Sequence, residues 1–228
     1  MRHGRTSGKI LASLALAAAP LAMVSLAATP AVAQSTGVKS ILGNASDSAL
    51  DKLSQPGAFY ADKAVRILLP GPLQKASSIL RFTSKAGLTK DITKTLNDAA
   101  GQAALEAKPV FRAAIDDLTL QDGVGIVTGG ETAGSEYLRS TSGDELAVKV
   151  RPLVEKALSE LGAYEQVEQL GSISSLARLG GADISREGLT DSVTEQALDG
   201  IFAYIGKEEA KFRRNPLDKG KKLLKGIF

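Results

Sequence analysis

The chain has no cysteine and no tryptophan. Its one histidine, His3, and both methionines, Met1 and Met23, fall within the first 33 residues. That stretch reads as a removable signal peptide, and the chain behind it has no His, Cys, Met or Trp at all. Without them there is no Ser-His-Asp triad, no cysteine nucleophile, no His- or Cys-ligated transition metal and no disulfide. Only oxygen ligands remain for a cation, and these suit Mg²⁺ or Ca²⁺ at best. An excess of one charge is also missing. Loss of residues 1–33 removes Arg2, Arg5 and Lys9 and no acid, which leaves 25 basic and 25 acidic side chains in 195 residues. A balanced chain has no global field for gripping nucleic acid. Tyr60, Tyr137, Tyr164 and Tyr204, with six phenylalanines, are too scattered for a base-stacking platform. The expectation is therefore no cofactor, no structural metal and no nucleic-acid partner.

The signal itself has three parts. Arg2, Arg5 and Lys9 form a basic start, residues 10–28 carry no charge and are rich in Leu and Ala, and Ala31-Val32-Ala33 is a small-x-small cleavage pattern before Gln34. No cysteine follows for lipid attachment, and no Arg-Arg pair marks twin-arginine export, so export of the unfolded chain is expected, to the periplasm or beyond. An exported chain without disulfides is held by its hydrophobic core alone. A mature chain of 195 residues suffices for one core, burying roughly 70% of the unfolded surface.

Residues 34–43 are small and polar and read as a linker, with a single domain over residues 44–228. Behind the linker the apolar spacing is helical rather than alternating. Val65-Arg66-Ile67-Leu68-Leu69 is the one strand-like run, closed by Pro70-Gly71-Pro72. Ile92, Leu96, Ala99, Ala100 and Ala103 share a helix face whose alanines imply close helix approach, up to a break at Lys108-Pro109. Ser142-Gly143-Asp144-Glu145 and Ser192-Val193-Thr194-Glu195 fit capping boxes and predict two helix starts. Leu153, Leu158, Leu198, Ile201 and Phe202 are expected in the core, and Gly162 suits a helix end. The predicted fold is all-α: one bundle-like domain of roughly seven to nine helices, with one short extended segment at residues 65–69.

Candidate sites are few. Thr128-Gly129-Gly130-Glu131-Thr132 could set backbone N–H groups around an anion at the start of a helix carrying Tyr137 and Arg139. The simpler reading is a helix junction, and Glu131 would compete for the same terminus. Thr128, Gly129, Gly130, Tyr137 and Arg139 are kept as binding candidates; no catalytic residue is assigned. Asp116, Asp117 and Asp122 lack the spacing of a Ca²⁺ loop. The strongest polar signal is at the C-terminus. From Lys207 onward eight basic residues face three acids, +5 in all, so the rest of the mature chain carries −5. On a helix, Leu217, Leu223, Leu224, Ile227 and Phe228 share one side and four lysines the other. Such a segment docks on the protein's own bundle or, as a minority reading, lies on an anionic membrane surface.

The ordered segments Val65-Arg66-Ile67-Leu68-Leu69-Pro70-Gly71-Pro72-Leu73, Ile126-Val127-Thr128-Gly129-Gly130, Tyr137-Leu138-Arg139, Ala197-Leu198-Asp199-Gly200-Ile201-Phe202, Arg213-Arg214-Asn215-Pro216 and Leu223-Leu224-Lys225 carry a resemblance. Together they resemble the bacterial domain-of-unknown-function family numbered 4197, over residues 37–228. The resemblance implies an exported, largely helical protein and supplies no chemistry. The leading expectation is a non-catalytic binding or structural module of the cell envelope. The alternatives are a carboxylate-dependent hydrolase or transferase and a carrier of an apolar ligand held between helices.

Overall fold

The computed structural model describes residues 30–71, 73–74, 86–119, 126, 129–171 and 185–214. Among them are seven helices and no strand: α1 (Pro30–Leu53), α2 (Ala58–Ala61), α3 (Ala86–Glu106), α4 (Lys108–Asp116), α5 (Ala133–Glu160), α6 (Ala163–Gly171) and α7 (Arg186–Arg214). The fold is all-α. One hydrophobic core takes residues from every helix, and α3 touches the other six. Its face of Ile92, Leu96, Ala99, Ala100 and Ala103 is buried as the spacing predicts. The small residues let α1 in close: a Cβ at Gly101 would lie 3.3 Å from the carbonyl oxygen of Leu53. The longest helices, α5 and α7, pack on each other, and α7 packs equally on α1.

The expected linker at residues 34–43 is not a linker. It belongs to α1, and Val38 and Leu42 are in the core. The apolar stripe of Ala49 and Leu53 continues upstream through Ala45, Leu42 and Val38 at helical spacing. Small polar residues between them disguise it, and one of these, Gly43, is where the guanidinium of Arg112 lies against the helix and reaches Asp47.

Neither expected capping box starts a helix. Ser142 lies inside α5 and Ser192 inside α7. Hydroxyls in these helices bond back to carbonyls of the preceding turn: Thr141 to Tyr137 at 2.9 Å and Thr194 to Thr190 at 2.7 Å. This removes the competition that usually drives such residues to helix ends. The working cap of α7 is Ser185, whose Oγ accepts the Gly188 N–H at 3.1 Å. The break at Lys108-Pro109 is a single residue, Ala107, between α3 and α4. Gly162, at φ 68°, ends α5 as expected. Of the expected core residues, Leu158, Leu198, Ile201 and Phe202 are buried and Leu153 is half-buried.

The run 65–69 forms no sheet, yet it keeps a strand's alternation: Val65, Ile67 and Leu69 are buried while Leu68 is 48% exposed. An unpaired extended backbone inside a helical protein would leave its polar groups without partners. Two side-chain amides take the place of neighbouring strands. Asn97 of α3 accepts the Ile67 N–H at 2.8 Å and donates to its carbonyl at 2.9 Å. Gln196 of α7 accepts the Leu68 N–H at 2.8 Å and donates to that residue's carbonyl at 3.2 Å. Asn97 is 1% exposed. The segment also sits hard against α7, since a Cβ at Gly200 would be 3.0 Å from Phe59 and 3.1 Å from Val65.

Candidate functional site

The segments that stand out in the sequence meet along α7. Where α5 begins, the N–H groups of Gly134 and Ser135 donate to the two carboxylate oxygens of Glu209, at 2.9 and 2.8 Å. Free N–H groups and the helix dipole make such a terminus a natural anion site, and here the anion is the protein's own. Glu209 is completely buried. Gly134 lets the carboxylate in, because a Cβ there would lie 2.7 Å from both Glu209 and Leu42. Arg213, one turn later on α7, holds the same carboxylate with Nε at 2.9 Å and Nη2 at 2.7 Å, and donates to the Ile126 carbonyl at 3.0 Å.

The neighbouring acid works on the other side. Glu208, 2% exposed, accepts from Ser48 Oγ at 2.9 Å and Lys211 at 2.7 Å and pairs with Lys52 of α1 at 2.6 Å. Burial alone would raise its pKa, but hydrogen bonds from Lys211, Lys52 and Ser48 prevail and hold it down at about 2. Adjacent residues on a helix point about 100° apart, so Glu208 ties α7 to α1 while Glu209 ties it to α5. Nearby, Tyr204 donates to Asp62 at 2.8 Å, and burial together with that carboxylate pushes its pKa up to about 12.

Outside this junction an open groove of about 620 Å³ runs along the seam of α5 and α7, lined by Thr132, Glu136, Arg139, Phe202, Lys211 and Arg214 among others. A second, of about 430 Å³, continues the seam, and Arg139 and Phe202 line both. Phe202 packs edge-on against Phe111, with centroids 5.7 Å apart. The Arg139 guanidinium lies 5.5 Å over the Phe202 ring and pairs with Asp199. Glu131 pairs with Arg214, which lowers the Glu131 pKa.

Of the sequence candidates, Thr128 lies outside the described residues. Gly129 and Gly130 are exposed ahead of α5, Tyr137 is half-buried against the core, and Arg139 lines the seam. The structure brings Arg139 together with Asp199 and Phe202 rather than with the glycines. Asp116 and Asp117 are exposed at the end of α4, and Asp122 lies outside the described residues. Among the described residues no three His, Cys, Asp or Glu are grouped to hold a metal ion, and no helix is long and apolar enough to cross a membrane. Sequence reasoning passed over Glu208, Glu209 and Arg213. The available signal was two acids falling on the apolar stripe of Leu198, Ile201, Phe202 and Ile205.

Fold and junction define an all-α protein whose longest helix is tied by two buried carboxylates to two others, to α1 through an ion pair with Lys52 and to α5 through its N-terminal N–H groups. The chain belongs to the family of proteins of unknown function designated DUF4197, whose model matches residues 29–228. No curated protein and no solved structure matches it.

Proposed function

We propose that this is an exported protein of the bacterial cell envelope that works by binding or by building structure, not by catalysis. One observation carries the non-catalytic part. The only buried charged side chains among the described residues, Glu208 and Glu209, are both engaged in joining helices. A carboxylate held at about 2 stays ionised near neutral pH, far from the poise a general acid or base needs. The seam is open to solvent and lined by ion pairs, which suits no apolar cargo. Export is supported by the basic start, the uncharged run and the cleavage pattern before Gln34.

Two experiments test this. Fractionation with intact-mass measurement should find a mature species beginning at Gln34; an exported species still beginning at Met1 overturns the signal. Complementing a deletion of the gene in its host with Glu131→Gln, Glu195→Gln and Asp199→Asn variants shown to be folded should restore the parent phenotype. Loss of rescue with a retained fold would assign carboxylate chemistry to the seam.

A further inference from the structure

The course of α1 bears on the chemistry of the mature N-terminus. Residues 34–43 are helix rather than linker, and Val38, about one turn beyond Gln34, is already in the core. A cut before Gln34 removes residues 30–33, the first turn of α1. Signal cleavage acts on the exported, unfolded chain, so when α1 forms Gln34 is the first residue of both the chain and the helix. That place is unfavourable for an ammonium. The N-terminal end of a helix is the positive end of its dipole, where cations are disfavoured. The residues that follow offer no counter-charge. The first charged side chain is Lys39, and the first acid, Asp47, lies more than three turns further on.

We propose that the mature chain begins with pyroglutamate, formed by cyclisation of Gln34. The neutral α-amine attacks Cδ of its own side-chain carboxamide. The new N–Cδ bond closes a five-membered lactam, the Cδ–Nε2 bond breaks, and the side-chain nitrogen leaves as ammonia with the proton that the amine gives up. No co-reactant is needed and nothing is oxidised or reduced. An α-amine ordinarily titrates at about pH 7.7–8.0. At the positive end of a helix the balance moves toward its neutral, nucleophilic form. The product suits the same place. The lactam carries no charge against the dipole, and its N–H asks for no partner inside the helix, because the first N–H groups of a helix have none there. The inference rests on cleavage before Gln34, and the two fail in different ways.

Exported protein isolated from its host decides the matter. Its mass should be one ammonia less than that of residues 34–228. It should resist N-terminal sequencing and should read from Ser35 after treatment with pyroglutamyl peptidase. Gln34→Asn, whose ring would have only four members, should be cut at the same bond and keep a free amine. A parent protein that begins at Gln34 with a free amine overturns the inference and leaves the signal standing. So does a ring that is absent from freshly harvested protein and appears only on storage. A species that begins at any other residue overturns the cleavage reading, and the inference with it.

Discussion

Glu209→Ala tests the junction most directly. The substitution strips two helix N–H groups, those of Gly134 and Ser135, of their acceptor. It also leaves Arg213, only 19% exposed, without its counterion. Removing one member of a buried ion pair costs about 3–5 kcal/mol, mostly because the other stays buried and unpaired. For a domain of this size each kcal/mol lowers Tm by about 2–4 °C, so the expected loss is roughly 10 °C. Urea unfolding, followed by far-UV circular dichroism, gives the free energy. Arg213→Ala should cost less, since Glu209 keeps the helix terminus. The double variant should cost less than the two single losses combined, because removing Arg213 no longer strands a carboxylate. A loss under about 1 kcal/mol for Glu209→Ala would refute the junction as a source of stability. Additive single losses would refute the coupling between Glu209 and Arg213.

Glu208 predicts an acid limb. Its folded pKa of about 2 lies below the ordinary carboxylate value of 4.5, so its contribution is complete above about pH 5 and is lost as pH falls toward 2. Glu208→Gln should flatten that part of a stability-pH profile; an unchanged profile would refute it. Asn97→Leu should cost about 2–5 kcal/mol in chemical denaturation by leaving both polar groups of Ile67 unpaired. Gln196→Leu, whose bonds to Leu68 are exposed, should cost under about 1 kcal/mol. Equal losses would sink the buried-amide argument. Gly143→Ala should stabilise α5 by about 0.5–1 kcal/mol, because the new Cβ meets only Arg139 Cγ at 3.9 Å. Gly200→Ala should destabilise, since Phe59 and Val65 stand at 3.0 and 3.1 Å; a more stable Gly200→Ala protein would show that the segment is not held there.

Helix faces were legible because burial imposes a 3.6-residue period that survives in the sequence, as at Ile92, Leu96, Ala99 and Ala103. Helix starts were not. A serine followed three residues later by glutamate is a capping box at a terminus and an ordinary surface pair inside a helix, and the local sequence is the same. The deciding facts are distant. The start of α5 is capped by Glu209, which lies 75 residues from Gly134. The strand-like run at 65–69 was visible in its alternation. Its partners were invisible, because side-chain amides 30 and 128 residues away do what a neighbouring strand would do.

The same nonlocality governs the candidate site. The loop before α5 had the composition of an anion site, and the physics behind that expectation is sound: a helix start does bind an anion here. The anion comes from α7, so the two N–H groups that would greet a phosphate or carboxylate are already taken by Glu209. Glu131, the acid that seemed placed to compete, turns away to Arg214. The stripe of α7 is apolar through Ile205 and becomes ionic at Glu208 and Glu209, where hydrophobic packing no longer fixes register. Ion pairs are directional where apolar contacts are not, and two acids about 100° apart on the helix address two different neighbours. Their cost in desolvation therefore secures the position of the last two turns of α7 against α1 and α5 at once. That position sets the width of the seam and delivers the chain to its upper end at Arg214. A partner at the seam meets Arg139, Asp199, Phe202 and the charges around them, and finds the N–H groups of Gly134 and Ser135 already taken by Glu209.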